Sequence, residues 1–315
     1  MKKKVLITDD VHPLLIKGLI DRNWIVDFEP EISLQETFDK ISNYEGLVIN
    51  SKIVVDRAFL KRAQSLLWIG RLGSGMEIID IPAALERGIH LINTPEANCN
   101  AVAEHALGML FSLFRNLNRA DYEVRRLLWE REKNRGEELA GKVIGVLGYG
   151  HTGARFIELL EGLSVKVLVY DKYKQLSKQL NRYTHVVDAD EIRKSANVIS
   201  LHLPLTTETK NLLDRDFIAG CKNPFYLINT SRGQVVNTID LIHALHIGKV
   251  KGACLDVFEN EKPASFTETE RAMYEELYRL PQVILSPHIA GWTYQSKQKI
   301  GEILLEKLDR VLPRL

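Results

Sequence analysis

A glycine pattern directly after a short apolar run is the feature that most constrains the fold of this chain. Residues 145–153 read Gly-Val-Leu-Gly-Tyr-Gly-His-Thr-Gly, so Gly148-x-Gly150-x-x-Gly153 follows the apolar run 143–147 and precedes a predicted helix. A strand that enters such a turn lets backbone N–H groups and the start of the next helix approach a pyrophosphate. The pattern predicts a phosphate-binding turn, although a purely structural turn also fits the glycines alone.

An acidic residue supplies the second half of the motif. The next apolar run ends in Asp171, eighteen residues beyond Gly153. A carboxylate at this place can accept hydrogen bonds from the ribose hydroxyls of an adenosine, so the two features together predict dinucleotide binding. Lys172 and Lys174 could contact a 2′-phosphate, but Asp171 would repel that phosphate. We therefore expect NAD rather than NADP.

Length and composition exclude several classes of protein. A chain of 315 residues exceeds what one hydrophobic core usually serves, so two domains are expected. Its 42 basic and 41 acidic residues leave a formal charge of +1, which favours neither a nucleic-acid partner nor an anionic membrane surface. No stretch approaches the roughly 20 apolar residues of a membrane span. Cys99, Cys221 and Cys254 are odd in number and far apart, which predicts no disulfide framework, no metal cluster and a cytoplasmic location.

Short apolar runs alternate with amphipathic segments in two series, as is typical of parallel α/β sheets. The strand candidates of the first series are 5–8, 24–28, 46–50, 67–70 and 89–92. Those of the second series are 143–147, 166–170, 197–201, 225–229, 252–255 and 283–285. Between the series, apolar residues at helical spacing predict one long helix over 101–126, and a final helix is expected over 294–312.

Three further motifs follow the glycine turn in a fixed order. They are Asn-Thr-Ser-Arg-Gly at 229–233, Leu-Asp-Val-Phe-Glu-Asn-Glu at 255–261 and Ser-Pro-His-Ile-Ala-Gly at 286–291. Each places a chemically active residue (Arg232, Glu261, His288) just past a strand candidate, where open α/β sheets bind ligands. In these motifs and their intervals, over nearly its whole length, the chain resembles the D-2-hydroxyacid dehydrogenase family.

The resemblance implies a specific domain arrangement. Two doubly wound parallel sheets are expected, with a Rossmann NAD-binding domain at 99–286 inserted into a flavodoxin-like substrate domain formed by 1–98 and 287–315. The two crossing segments, near Asn98 and His288, would be the hinge of a closing cleft that excludes water. Family members generally form homodimers through the NAD domain. The helix 101–117 and the arm around Trp129 could supply that surface, although helix–helix core packing explains the same helix residues.

The resemblance also implies the reaction: an NAD-dependent enzyme interconverting a D-2-hydroxy acid and its 2-keto acid by hydride transfer. Arg232 would bind the substrate carboxylate with its planar fork of donors and polarise the carbonyl. His288 would exchange a proton with the carbonyl oxygen, and Glu261 would orient the imidazole and favour its protonated form. Taken singly, these residues could be a surface arginine, a packed histidine and a solvated glutamate. Glu261 is chosen over Glu259 and Glu270 because it stands five residues after Asp256.

The resemblance also implies further contacts with the cofactor and the substrate. The dinucleotide would be bound by the glycine turn with His151, Thr152 and Asp171, by Leu203, Pro204 and Thr230, and by Asp256, which would accept a hydrogen bond from the nicotinamide carboxamide. Leu203, Pro204 and Thr230 could equally be strand-end packing. The substrate would contact the backbone of Ser74 and Gly75, with Asn98 contacting substrate or hinge.

The chain departs from the family pattern at two places. His151-Thr152 stands where an Arg or Asn followed by an aliphatic residue is common, which could alter the pyrophosphate contact. Lys262 stands where a proline often follows the glutamate.

The choice of substrate rests on a few basic residues. Arg71 matches a phosphate-binding arginine of 3-phosphoglycerate dehydrogenases and Lys52 could add a charge, so 3-phosphoglycerate is the first candidate. Asn50 replaces another arginine of those enzymes, the chain ends without their common regulatory domain, and Arg71 also occurs in relatives that use unphosphorylated acids. Glyoxylate or hydroxypyruvate reduction is the alternative. A dinucleotide-sensing corepressor-like protein would retain the same Arg, Glu and His, but the compact ends of this chain favour an enzyme.

Overall fold

The computed structural model describes residues 3–312, so the outermost residues of the expected domains, 1–2 and 313–315, lie outside the described residues. The chain divides into two compact units, one formed by the residues up to Cys99 and from Trp292 onward, the other by Asn100–Gly291. We call them the terminal unit and the inserted unit. Segment 287–291 groups with the inserted unit and not, as expected, with the terminal one. The reason is that Asp256 accepts hydrogen bonds from the backbone of Ile289 and Ala290.

The terminal unit contains a five-stranded parallel sheet in the order β2-β1-β3-β4-β5. Its strands are β1 (Lys4–Ile7), β2 (Ile25–Phe28), β3 (Gly46–Ile49), β4 (Trp68–Arg71) and β5 (His90–Asn93). Its helices are α1 (Pro13–Ile20), α2 (Leu34–Lys40), α3 (Arg57–Arg62), α4 (Ile81–Glu86) and the C-terminal helix Tyr294–Val311. The order 2-1-3-4-5 is that of flavodoxin, so the predicted flavodoxin-like fold is confirmed.

Two apolar layers cover the faces of this sheet. On one face the C-terminal helix buries Leu304, Leu305 and Leu308 with Leu15 and Leu19 of α1. On the other face a second cluster packs residues of α3 and α4 against β1, β3 and β4. Because both faces are covered, the central strand β3 reads Gly-Leu-Val-Ile and is buried throughout, as expected for a parallel sheet.

The inserted unit contains a seven-stranded parallel sheet in the order β12-β11-β10-β9-β6-β7-β8. Its strands are β6 (Val143–Leu147), β7 (Lys166–Tyr170), β8 (Thr184–Val186), β9 (Val198–Leu201), β10 (Phe225–Asn229), β11 (Val250–Leu255) and β12 (Val283–Leu285). Its helices are α5 (Cys99–Phe114), α6 (Leu117–Val124), α7 (His151–Leu159), α8 (Ala189–Ser195), α9 (Arg215–Gly220), α10 (Thr238–His246) and α11 (Glu268–Arg279). Counted from β6, the order contains the 3-2-1-4-5-6 arrangement of the Rossmann fold, which confirms the predicted dinucleotide-type domain.

Two local expectations differ from the structure. The single helix expected over 101–126 is broken into α5 and α6 at Asn116, whose φ of 54° is left-handed and cannot continue a right-handed helix. Strand β8 was not expected, since only three residues form it. Neither difference affects the switch point between β6 and β9, where the strand order reverses and ligands bind in sheets of this kind.

Within residues 3–312, no helix combines the length and apolar character needed to cross a membrane. The same residues contain no group of three or more His, Cys, Asp or Glu side chains arranged to hold a metal ion. The three cysteines carry free thiols.

Candidate active site

The glycine turn after β6 combines two close backbone contacts with one open space. A Cβ added to Gly148, whose φ is +98°, would lie 2.3 Å from the carbonyl oxygen of His202, and one added to Gly153 would lie 2.1 Å from the carbonyl oxygen of Gly148. A Cβ on Gly150 would meet nothing within 4 Å. The outer glycines therefore permit the tight turn, whereas the middle one leaves room for a ligand.

The helix that follows this turn begins without a side-chain cap. Gly150 is the N-cap residue of α7 and, as a glycine, has no side chain to accept a hydrogen bond from the first turn. His151 and Thr152 are the first residues of the helix. Free N–H groups and the positive end of the helix dipole attract anions, so a pyrophosphate fits this place. Because backbone groups provide this attraction, the unusual His151-Thr152 pair does not remove it.

Asp171 follows β7 and is held against the glycine turn. Its carboxylate accepts hydrogen bonds from the backbone N–H groups of Tyr149 (2.8 Å), Tyr173 (3.0 Å) and Lys174 (2.9 Å). Burial opposes ionisation, but these three bonds keep the pKa of Asp171 below its usual value. An ionised carboxylate has about four acceptor positions, so acceptor capacity is left for a ribose hydroxyl.

The two lysines after Asp171 are engaged inside the unit. Lys172 forms a 2.8 Å ion pair with Glu208, and the ammonium group of Lys174 donates to the carbonyl oxygen of Tyr149 at 2.7 Å. Neither ammonium group is therefore reserved for a 2′-phosphate. This geometry agrees with the expected preference for NAD.

Three more predicted cofactor residues lie at strand ends on the same edge of the sheet. Leu203 and Pro204 follow β9, and the Leu203 side chain lies 3.2 Å from the position of a Cβ on Gly148. Thr230 follows β10, and its buried hydroxyl has no hydrogen-bond partner among residues 3–312. A buried hydroxyl without a partner is costly, so a polar group of a bound dinucleotide would stabilise it. Together with the open space at Gly150, this residue set fits a dinucleotide.

His288 and Glu261 form a direct pair. Nδ1 of His288 lies 2.8 Å from Oε2 of Glu261, and the backbone N–H of Phe258 donates to Oε1 of Glu261 at 3.3 Å. Burial opposes ionisation of Glu261, but the hydrogen bond and charge of His288 and the charge of Arg232 lower the pKa of Glu261. The glutamate is therefore ionised at neutral pH and directs Nε2 of His288 away from itself.

Arg232, Glu261 and His288 line one pocket of about 370 Å³. The loop carrying Arg232 packs closely on the segment before Glu261, since a Cβ on Gly233 would lie 1.9 Å from the carbonyl group of Phe258. Nη1 of Arg232 donates to the carbonyl oxygen of Ser231, and Asn229 donates to the carbonyl oxygen of Arg232 at 3.0 Å. The other residues lining the pocket are Leu205, Gly233, Gln234, Phe258, Glu259, Asn260 and Lys262.

Asp256 anchors the segment that carries His288. Its side chain is buried and accepts hydrogen bonds from Oγ of Ser286 (2.5 Å) and from the backbone N–H groups of Ile289 and Ala290 (2.9 Å each). Its carbonyl oxygen accepts the N–H of His288 at 2.8 Å. The structure thus gives Asp256 a positioning role inside the unit, and the expected contact with the nicotinamide carboxamide stays a prediction.

Two positioning residues were not found from the sequence. Nε2 of His105, in α5, lies 2.9 Å from Oγ of Ser286, and the hydroxyl of Tyr274, in α11, accepts the N–H of Asn260 beside Glu261 at 2.9 Å. His105 is 181 residues from its partner, and Tyr274 occupies an ordinary apolar position of its helix. The sequence therefore contained no local signal for either residue.

In the terminal unit, the predicted substrate residues lie at the carboxyl ends of β4 and β5. Arg71 ends β4 and its Nη1 donates to the carbonyl oxygen of Leu72. Oγ of Ser74 lies 3.4 Å from Oδ1 of Asn98, and Gly75 is buried in the same loop. Lys52 was expected to add a positive charge for a substrate phosphate. Its ammonium group donates a hydrogen bond to the carbonyl oxygen of Pro30 at 2.5 Å.

A comparison with known families and structures agrees with this geometry. Residues 107–290 match the family model described as "D-isomer specific 2-hydroxyacid dehydrogenase, NAD binding domain". The chain belongs to the D-isomer specific 2-hydroxyacid dehydrogenase family. The match lies in the inserted unit, so the expectation of NAD as cofactor is confirmed.

Relatives of this chain are named for different substrates. It is 32% identical to a D-3-phosphoglycerate dehydrogenase of Methanocaldococcus jannaschii over 98% of the chain, but it spans only 57% of that protein. It is 30% identical to a hydroxypyruvate reductase of Thermotoga maritima over 98% of both chains. A D-lactate dehydrogenase from Aquifex aeolicus, solved with NAD and lactic acid, has a TM-score of 0.85 and 26% identity, with 98% of this chain and 94% of that chain covered.

Gly150→Ala and Gly153→Ala should separate ligand binding from folding. In Gly150→Ala the methyl group enters open space, so the apo protein should lose at most about 1 kcal/mol, whereas NADH affinity should fall about tenfold or more. In Gly153→Ala the methyl group collides with the backbone of Gly148, which should cost about 1–3 kcal/mol of folding stability. Thermal unfolding of the apo protein and fluorescence titration with NADH measure the two effects. Wild-type NADH affinity in Gly150→Ala would contradict the assignment of that space.

Proposed function

We propose that this chain is an NAD-dependent dehydrogenase that interconverts a D-2-hydroxy acid and its 2-keto acid. The observation that carries the proposal is the 2.8 Å contact between His288 and Glu261 in a pocket that Arg232 also lines, within a unit of the NAD-binding family. A proton donor and a carboxylate-binding cation in one pocket are what the reduction of a 2-keto acid requires beyond its cofactor.

The residues would act together in the following way. The guanidinium group of Arg232 binds the substrate carboxylate and polarises the neighbouring carbonyl. The ionised Glu261 accepts a hydrogen bond from Nδ1 of His288 and orients the imidazole, so that Nε2 can donate its proton to the carbonyl oxygen. NADH, when bound, supplies the hydride that the carbonyl carbon accepts. In the oxidative direction, Nε2 takes the hydroxyl proton back.

Other predicted roles keep the status of proposals. Gly148, Gly150 and Gly153, with the start of α7, would bind the pyrophosphate, and Asp171 would accept the adenosine ribose hydroxyls. In the terminal unit, the backbone of Ser74 and Gly75 would bind the substrate carboxylate, with Arg71 and Asn98 as further contacts. Their place in one loop region at the carboxyl end of the sheet supports this assignment.

3-Phosphoglycerate is the first substrate candidate, and hydroxypyruvate or glyoxylate is the alternative. Arg71 at the end of β4 and the similarity to D-3-phosphoglycerate dehydrogenases support the first. Lys52 adds no support to the first, since the contact that its ammonium group makes is a hydrogen bond to the carbonyl oxygen of Pro30. The Thermotoga maritima hydroxypyruvate reductase, which matches over its whole length, supports the alternative.

His288→Ala should abolish turnover without loss of cofactor binding. Removing the proton donor should lower kcat about 10²–10⁴-fold, whereas NADH affinity should stay near that of the wild type because the glycine turn is untouched. His243→Ala, on the exposed side of α10, is the matched control and should keep wild-type kcat. An unchanged rate in His288→Ala would contradict the catalytic role. A wild-type protein that binds NADH but reduces no 2-keto acid would instead favour a dinucleotide-sensing interaction protein.

Steady-state rates should decide between the two substrates. If the phosphate-binding assignment of Arg71 is right, kcat/KM for phosphohydroxypyruvate should exceed that for hydroxypyruvate, and Arg71→Gln should reduce this preference. The reductions are followed by NADH absorbance at matched concentrations. Equal or faster reduction of hydroxypyruvate would remove 3-phosphoglycerate as the substrate.

A homodimer formed through the inserted unit, in the cytoplasm, completes the proposal. Helix α6 buries no residue, and the arm after it exposes 94% of Leu127 and 77% of Trp129. Exposed apolar side chains close together in the chain are typical of protein interfaces and support this proposal. The wild type should sediment at twice the 35.9 kDa chain mass, and Leu127→Glu with Trp129→Glu should give a monomer, whereas Ile247→Glu, at another exposed apolar site, should not. A monomeric wild type would contradict the dimer.

A further inference from the structure

Lys262 contributes an unused positive charge to the pocket of Arg232 and His288. It follows Glu261 directly and lines the same cavity of about 370 Å³. Its ammonium group has neither a hydrogen bond nor an ion pair with any of residues 3–312.

The backbone of Lys262 is fixed even though its side chain is exposed. Its N–H donates to Oδ1 of Asn260 at 3.0 Å, and its carbonyl oxygen accepts from Oγ and N–H of Ser265, each at 2.8 Å. Asn260 is held in turn by the hydroxyl of Tyr274, which is buried. The ammonium group therefore extends from a held position on the pocket wall.

The carboxylates of the pocket are already engaged. Glu261 pairs with His288, and Oε1 of Glu259 accepts the backbone N–H of Thr238 at the first turn of α10, at 2.8 Å. The start of a helix compensates part of the charge of such a carboxylate. Lys262 therefore has no carboxylate partner, and an anionic group of a ligand could fill that role.

We propose that Lys262 selects substrates that carry a second anionic group, a phosphate or a carboxylate, distal to the 2-keto acid end. This inference rests on the proposed function, in which Arg232 binds the first carboxylate. With that end at Arg232 and the carbonyl at His288, a distal anion would meet Lys262 on the wall of the same pocket. A neutral substrate of the same length gains nothing from this residue.

The test is a ratio of specificity constants. The wild type and Lys262→Gln are compared with pairs of 2-keto acids: phosphohydroxypyruvate against hydroxypyruvate, and 2-oxoglutarate against 2-oxovalerate. The ratio of kcat/KM for the acid with the distal anion over the acid without it should fall about fivefold in Lys262→Gln, which corresponds to about 1 kcal/mol for a partly exposed charge pair. The acid pair whose ratio falls shows whether a distal phosphate or a distal carboxylate is recognised.

Three controls make the result specific. Lys262→Arg should keep the ratio, because the charge remains. Lys166→Gln, the same charge change at the amino end of β7, should also keep it. Added salt should lower the wild-type ratio more than that of Lys262→Gln, since the variant lacks the screened charge pair with Lys262. The test replaces Lys262 by glutamine and not by proline, because the N–H of Lys262 is hydrogen-bonded and its φ of −117° does not suit proline.

Binding measurements distinguish a failure of this inference from a failure of the proposed function. Calorimetry of the NADH-loaded protein gives the affinity ratio for the same acid pairs without turnover. An unchanged ratio in Lys262→Gln, in rates and in affinities, would overturn the role of Lys262 while leaving the dehydrogenase activity standing. If no acid is reduced but the affinity ratio falls about fivefold in Lys262→Gln, the proposed function fails and the selective role of Lys262 stands.

Discussion

The buried carboxyl group of Asp256 is the constraint on which the candidate active site depends. It accepts hydrogen bonds from Ser286, Ile289 and Ala290, and its own carbonyl oxygen accepts the N–H of His288. These bonds hold His288 at a φ of 56°, a left-handed conformation that costs a non-glycine residue roughly 1–2 kcal/mol. A buried carboxyl group without such partners would itself be costly, so the anchor and the conformation of His288 stabilise each other.

The segment before Glu261 is fixed from the opposite side. Phe258 packs edge-on against Tyr274 at 6.2 Å between ring centroids, and the hydroxyl of Tyr274 holds the backbone of Asn260. Both members of the His288–Glu261 pair therefore come from backbone that the core determines and not from free loops. Such support matters because a misplacement of about 1 Å can cost a catalytic group about a hundredfold in rate. It also gives Lys262, the next residue, a defined place.

The strand ends that would bind the dinucleotide are also held by hydrogen bonds to a carboxylate. Asp171 accepts one backbone hydrogen bond from Tyr149 in the glycine turn and two from Tyr173 and Lys174 in its own loop. Burial opposes ionisation, but these bonds lower the pKa of Asp171, and the bond to Tyr149 joins the two loops. The glycine turn also packs, at Gly148, on the carbonyl group of His202. His202 lies at the end of β9, the neighbouring strand across the switch point. The residues that would bind the cofactor are thus also the residues that join two strand ends.

From the sequence alone, the α/β class and the positions of most strands could be predicted, because the period of apolar residues is a local property. Arg232, Glu261 and His288 were found as candidates because their motifs resemble those of a known family. The sequence did not reveal the break of the helix at Asn116, the short strand β8, or the roles of His105 and Tyr274. It could not show that Lys172, Lys174 and Lys52 already have partners, nor that Asp256 is buried. Hydrogen bonds between residues far apart in the chain decide these points, and only the tertiary structure brings such residues together.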